Sequence, residues 1–107
     1  MTDEPATAAM QAIADPTRRA ILDRLRAGPL PVCDLARGLP VSRPAVSQHL
    51  RVLAQAGLLR ATPQGNRRLY ALDPAGMEPL RRWLDALWDD ALHQFAARAR
   101  AQERDTR

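Results

Sequence analysis

The chain has 107 residues, enough for one domain with a single modest core. Its one cysteine excludes a disulfide within the chain, and no apolar run approaches the roughly 18 residues that a membrane span needs. The net charge is +4, all sixteen basic residues are arginine, and ten of these lie in residues 16–70 against two acidic residues. The flanking segments are net acidic. The central basic segment favours a polyanionic partner over a merely solvated surface.

The N-terminal sequence MTDEPATAAM is acidic and lacks the basic-then-apolar pattern of a secretion signal. We therefore expect a cytoplasmic protein with no membrane partner. Residues 1–107 are expected to form one domain, and a chain this small often completes its core by pairing with a second copy.

Two helices are predicted at the start of the chain. The first spans about residues 6–14. Its expected buried residues are Ala9, Met10, Ile13 and Ala14. Asp15 followed by Pro16 predicts the start of the second, because Asp accepts hydrogen bonds from free N–H groups and Pro has no N–H to leave unbonded. This helix runs to about residue 27, where Gly28 and Pro29 end it.

Residues 32–57 predict a short helix, a turn and a longer helix. The short helix covers about 32–38 and the turn covers 38–41. Ser42 is the expected N-cap of the longer helix, with its hydroxyl accepting from the N–H of Ala45. This helix runs to about residue 56, and Gly57 is a suitable left-handed terminator.

The longer helix has one apolar face, formed by Val46, Leu50 and Leu53, and one polar face. Arg43, Ser47 and Arg51 recur on the polar face at every fourth residue, beside Gln48, and no acidic residue occurs from 43 to 56. Arg can bond guanine edges, Gln adenine edges, and Ser bases or phosphates, so the face predicts reading of the DNA major groove. His49 is a secondary candidate, because it lies near the apolar face. The predicted DNA-binding residues of this helix are Ser42, Arg43, Pro44, Ser47, Gln48, His49 and Arg51.

A hairpin follows, with strands predicted at 58–62 and 67–72 and a turn at 63–66. Arg67 and Arg68 lie near its tip and are predicted to track the DNA backbone. Successive strand residues point to opposite faces, so at most one of the two faces the partner in regular geometry. A surface hairpin with solubilising arginines is the alternative.

Asp73 and Pro74 repeat the helix-start pattern, and the last helix is predicted over about 74–101. Its apolar residues recur at steps of three and four and form a band wider than one small core needs.

The runs ADPTRRAILDRL, LARGLPVSRPAVSQHLRVLAQAGLL and RRLYAL resemble the ArsR/SmtB-type bacterial transcription repressors over about residues 8–95. The resemblance implies a mainly α winged helix-turn-helix fold, with about five helices and a two-stranded wing. It also implies a homodimer whose interface is formed by the first and last helices, about 6–14 and 74–101. The interface residues so implied are Met10, Ile13, Trp83, Leu84, Leu87, Trp88, Leu92 and Phe95.

Many members of that family sense metals, and this sequence departs from both family sites. Where the family has a Cys-Val-Cys-Asp-Leu segment, this chain has Pro31-Val32-Cys33 followed by Asp and Leu, so proline replaces the first thiol. A single thiolate without partner ligands cannot hold a soft metal. On the last helix only His93 matches, with Ala91 where the family has Asp. We therefore expect no metal and no cofactor, as in the metal-independent, autorepressor-like (SdpR-like) branch, with the inducer open.

The sequence thus predicts a homodimeric, sequence-specific repressor that binds an inverted repeat in double-stranded DNA. Three alternatives stay open: a regulator that responds to oxidation or a ligand through Cys33 or the dimer interface, a winged helix used only for protein contact, and a nonspecific architectural DNA binder. An enzyme is rejected, because the chain has no Gly-rich phosphate loop and no nucleophile motif. The adjacent carboxylates Asp89 and Asp90 diverge by about 100° on a helix.

Overall fold

The computed structural model describes residues 4–105 as five α-helices and a three-stranded antiparallel sheet. In chain order the elements are α1 Glu4–Ile13, α2 Pro16–Arg24, a 3₁₀ turn Leu25–Ala27, β1 Leu30–Pro31, α3 Val32–Ala36, α4 Arg43–Gln55, β2 Leu59–Gln64, β3 Arg67–Leu72 and α5 Pro74–Asp105. The predicted class, mainly α with a β-hairpin, is confirmed. None of the helices in this range combines the length and apolar character needed to cross a bilayer.

The first helix buries Ala9 as predicted, but it does not fully bury the other three residues of the predicted set. Its buried residues are Ala6, Ala9 and Ala12, which recur every three residues along α1. Alanine has no side chain beyond Cβ, so this stripe lets α1 pack closely on α4 and α5. The larger Met10 and Ile13 are only half-buried at the edge of the contact, and Ala14 is exposed because the helix has already ended.

Two arginines of α2 complete the C-terminal end of α1. Arg18 Nε donates to the carbonyl of Ala12 at 2.6 Å, and Arg19 Nη1 donates to that of Ile13 at 2.7 Å. These carbonyls belong to the last turn of α1, where no further helical N–H can reach them. The two arginines therefore contribute to the fold by satisfying these carbonyls.

Asp15 caps α2 as predicted. Its carboxylate accepts from the N–H of Arg18 at 3.0 Å, and this bond is the main reason why the pKa of Asp15 lies below its ordinary value. Because the pKa of Asp15 is lower in the folded protein than in the unfolded chain, the cap contributes its full stabilisation at any pH above the ordinary carboxyl pKa. This contribution is lost as the pH falls through the lowered pKa of the folded protein.

The core forms around α4. Val46, Leu50 and Leu53 have no exposed surface and pack in one cluster with Ile21 and Leu35. The Ser42 hydroxyl accepts from the N–H of Ala45 at 3.3 Å, which confirms the predicted cap. Beyond the helix, Gly57 has a φ of +85° in the left-handed region.

The hairpin is longer than predicted, and it is joined by a third strand. Pro63 and Gln64 belong to β2 and pair with Arg68 and Arg67, so the turn has only two residues. Gly65 makes this possible with a φ of +60°, and Pro63 is tolerated because β2 is an edge strand in the order β1-β3-β2. The two-residue β1 pairs with Leu69 and Tyr70. So short a strand has no sequence signature of its own.

The last helix runs four residues beyond the predicted end. Met77 and Leu80, near its beginning, pack against the core, but no residue of α5 is fully buried. From Arg81 onward nearly every described residue is exposed, and the described chain extends over 71 Å in its longest dimension.

Replacing Arg18 with Met should lower the free energy of unfolding by about 1–3 kcal/mol, because its charged hydrogen bonds to the end of α1 are lost. Arg26→Met is the matched control. Within residues 4–105, Arg26 forms only an exposed ion pair with Asp23 at 3.7 Å, a type of pair worth about 0–1 kcal/mol. Urea unfolding followed by circular dichroism compares the two variants, and equal midpoints would contradict the capping role.

Candidate nucleic-acid interface

The polar face of α4 is directed outward. Arg43, Gln48 and Arg51 are exposed, and Ser47 is half-buried. Arg51 Nη1 lies 3.5 Å from Gln48 Oε1, at the outer limit of a hydrogen bond, so both side chains are easily released to a partner. The buried stripe on the opposite side of α4 fixes this orientation, because turning the helix would expose Leu50 and Leu53.

The N-terminal end of α4 is also open to solvent. Ser42, Arg43 and Pro44 are all exposed there. The Ser42 hydroxyl oxygen accepts the capping bond, which leaves its hydrogen able to donate. Free backbone N–H groups and the positive end of the helix dipole make such an end suitable for a phosphate.

His49 lies at the edge of the buried face, as the sequence predicts. It is half-buried, and its Nδ1 atom is buried with no hydrogen-bond partner among residues 4–105. It is close enough to Asp15 to contribute to that residue's lowered pKa, after the larger effects of Arg18. This position makes His49 mainly a packing residue between α4 and the start of α2, and a contact through its other ring nitrogen stays a prediction.

The hairpin forms a groove with α4, which we call the helix–wing groove. Its volume is about 380 Å³. It is lined by Ser47, Leu50, Arg51, Ala54, Gln55, Ala61, Arg68 and Tyr70. Arg68 therefore lies on the side of β3 that faces α4, the same side as Tyr70 two residues later.

A second groove, the tip groove, lies towards the end of the hairpin and has a volume of about 330 Å³. It is lined by Pro31, Val32, Cys33, Arg43, Asn66, Arg67, Arg68 and Tyr70. Arg67 lines this groove but not the helix–wing groove, and its Nη2 lies 3.4 Å from Gln64 Oε1. Both wing arginines thus border a groove shared with α4, but Arg68 is the more central of the two.

Gln55 is a candidate that the sequence reasoning missed. It lines the helix–wing groove together with Ser47 and Arg51. The signal was available, because Gln55 continues the four-residue repeat of Arg43, Ser47 and Arg51 by one more step.

The ten arginines of residues 16–70 separate into three groups. Three donate to backbone carbonyls: Arg18, Arg19 and Arg24. Arg26 and Arg37 form exposed ion pairs with Asp23 and Asp34. The other five have no carboxylate partner within residues 4–105: Arg43, Arg51, Arg60, Arg67 and Arg68. All five lie on α4 or the hairpin, and no acidic residue occurs between positions 43 and 72 to offset their charge.

The metal-ligating residue types are scattered in the structure. No group of three or more His, Cys, Asp or Glu that could hold a metal ion occurs in the part of the chain described. His93 Nδ1 donates to the carbonyl of Asp89 at 2.8 Å within α5. Cys33 is half-buried, with Sγ 3.9 Å from Asp34 Oδ1.

The outer part of α5 carries a band of large apolar side chains in contact with solvent. Their exposed fractions range from 43% for Trp83 to 73% for Phe95. The members of the band are Trp83, Leu84, Leu87, Trp88, Leu92 and Phe95. A contiguous apolar surface of this kind marks an interaction site.

Comparison with known proteins agrees with this arrangement. The family model described as bacterial regulatory protein, arsR family, matches residues 15–61. The HTH-type transcriptional regulator Rv2034 of Mycobacterium tuberculosis is 59% identical over 88 residues, which cover 82% of this chain and 82% of Rv2034. The chain belongs to the ArsR family.

Two further ArsR-family comparisons support the family and its fold. The transcriptional repressor SdpR of Bacillus subtilis is 35% identical over 74 residues, covering 69% of this chain and 82% of SdpR. The solved structure of an ArsR-like transcriptional regulator from Rhodococcus sp. RHA1 has a TM-score of 0.74 at 29% identity, covering 88% of this chain and 89% of that one. The winged helix-turn-helix fold is thereby confirmed, and the ArsR family is one of DNA-binding transcriptional regulators, not enzymes.

Proposed function

We propose that this ArsR-family regulator is a homodimeric repressor that binds an inverted repeat in double-stranded DNA and does not respond to metal. The observation that carries this proposal is the set of five arginines without carboxylate partners on α4 and the hairpin. A protein-contact surface would be expected to mix charges or to be apolar, whereas every charged residue from position 43 to position 72 is an arginine.

The positions of the side chains suggest which residues would contact bases and which would contact the DNA backbone. Arg43, Ser47, Gln48 and Arg51 project from one helix that fits the major groove, so they would contact bases and the nearby phosphates. Arg67 and Arg68 border the grooves between α4 and the hairpin, so they would contact the backbone. Phosphate contacts position the protein, and base contacts specify the sequence.

The proposed partner for the apolar band of α5 is a second copy of this chain. Met10 and Ile13 on α1 are left half-buried, and α1 packs against α5, so both helices offer apolar side chains to such a copy. A symmetric pair would bury the same surface on both copies. It would direct two α4 helices to successive major grooves about 34 Å apart.

Repression and independence from metal are the finer parts of the proposal. SdpR is a transcriptional repressor, and it is similar to this chain over 82% of its length. Pro31 replaces the first thiol of one family site, and Ala91 the acidic ligand of the other. The remaining Cys33 and His93 lie on α3 and α5 with no metal-binding cluster around them in residues 4–105.

Selection of bound sequences from a random duplex pool, at near-physiological salt, tests the proposed function. We expect enrichment of one inverted repeat with half-sites about one helical turn apart. Trp88→Glu is the informative variant, since a charge in the apolar band should give a monomer by sedimentation and weak, half-site binding. Binding without enrichment would indicate an architectural protein, and no binding would favour the protein-contact alternative.

Gln48→Ala should relax specificity at one base pair of each half-site, at a cost of about 1–3 kcal/mol per bidentate contact. The expected cause is loss of the paired donor and acceptor that match an adenine edge. Binding to operators substituted at each position measures the effect, with Gln102→Ala at the far end of α5 as the control. Equal weakening on every sequence would assign Gln48 to the backbone instead.

Arg68→Gln should weaken binding to all sequences and flatten the salt dependence. Each phosphate contact contributes about 0.9 to the slope of log K against log salt, so a dimer that loses two contacts should lose about 2. Arg67→Gln should have the smaller effect, because Arg67 borders the tip groove but not the helix–wing groove. Arg26→Gln is the control, and an unchanged slope in the Arg67/Arg68 double variant would remove the hairpin from the interface.

A further inference from the structure

Two glycines that are nineteen positions apart bring the end of α4 against the beginning of α5. Gly57 follows α4, and Gly76 is the third residue of α5. A Cβ atom on Gly76 would overlap the carbonyl carbon and oxygen of Gly57 and would lie 2.9 Å from its Cα. A Cβ on Gly57 would in turn lie 3.5 Å from the Cα of Gly76. The two backbones therefore touch directly.

Hydrogen bonds hold this contact on both sides. The N–H of Asp73, just before α5, donates to the carbonyl of Leu58 at 3.0 Å. Asp73 Oδ1 accepts a hydrogen bond from the N–H of Ala75 at 3.1 Å. The backbone carbonyl of Asp73 accepts one from the N–H of Gly76 at 3.2 Å. On the α4 side, the N–H of Leu58 donates to the carbonyl of Leu53 at 3.0 Å. One backbone network thus connects the last turn of α4 to the first turn of α5.

The network connects the two surfaces that the proposed function uses. Arg43, Gln48 and Arg51 project from α4, whereas Trp83 and Trp88 project from α5. Side chains packed between two helices can change rotamer and absorb a shift, but two touching backbones cannot. The distance between the end of α4 and the first turn of α5 is therefore fixed at this point, and α1 packs on both helices.

We infer that the contact between Gly57 and Gly76, here called the α4–α5 joint, sets the distance between the two α4 helices of a dimer and so selects the spacing of the operator half-sites. The inference rests on the proposed dimeric binding of an inverted repeat. It makes Gly76 a positioning residue for specificity, although it lies outside the DNA-binding surface.

Gly76→Ala tests the joint. Alanine favours a helix more than glycine does, so the substitution should help α5 itself while forcing its first turn away from Gly57. The matched control is Ala75→Ser, an exposed change in the same turn. Both variants and the unaltered protein are measured against operators whose spacer is shortened or lengthened in single base-pair steps, with sedimentation and circular dichroism to verify dimer and fold.

The unaltered protein and Ala75→Ser should share one narrow spacing optimum. The Gly76→Ala dimer should lose about tenfold in affinity at that spacing and bind best at another, because a duplex must bend or twist to reach displaced helices. A folded Gly76→Ala dimer with the original optimum and affinity would overturn the inference. If the unaltered protein has no spacing preference at all, the proposed function itself fails, which is a distinguishable result.

Asp73→Ala is the second variant that tests the α4–α5 joint, and it is used if Gly76→Ala does not fold. It removes the acceptor for the N–H of Ala75 without adding an atom at the joint, so it should loosen the contact. The expected result is a dimer that tolerates a wider range of spacers with a lower best affinity. A dimer with the original narrow optimum would overturn the inference.

Discussion

Burial of one face of α4 is the constraint on which the rest of this structure depends. Val46, Leu50 and Leu53 have no exposed surface, and burying each such side chain is worth about 1.5–3 kcal/mol. Rotation of α4 about its axis would sacrifice much of this free energy. The opposite face, with Gln48 and Arg51, is therefore held outward without needing any interaction of its own, and its side chains stay available to a partner.

The arginines illustrate how one residue type serves two purposes in the same segment. Arg18 and Arg19 complete the end of α1, whereas Arg51 and Arg68 border an open groove beside α4. What separates them is the neighbouring acceptor. Arg18 and Arg19 lie beside free carbonyls at the end of α1, whereas Arg51 and Arg68 have no carboxylate partner within residues 4–105. A net charge of +4 thus understates how strongly the α4 and hairpin surface would attract a polyanion.

The first turns of α5 pack on the core of the chain, whereas nearly all of the rest of the helix is exposed to solvent. Met77 and Leu80 pack on the core of the chain, but Leu87 and Phe95 remain in solvent. Water-exposed apolar area on this scale is stabilised when a partner covers it, and the proposed second copy would do so. Because the first turn of α5 touches the end of α4, an interface on α5 would position α4 as well. The proposed dimer interface on α5 and the proposed DNA-binding face of α4 would then be structurally coupled.

The sequence by itself determined the order of the five helices and the hairpin, the caps at Asp15 and Ser42, the buried stripe of α4 and the apolar band of α5, because these depend on local hydrogen bonding and on helical periodicity. It also determined the family, through ordered motifs. Only the tertiary structure decided that α1 buries Ala6 and Ala12 while Met10 stays at the edge, that Leu30 and Pro31 form a third strand, that Gln55 shares a groove with Arg68, and that Gly57 touches Gly76. Each of these is a contact between segments distant in the chain, and periodicity records which face of an element is apolar but not which neighbour packs against it.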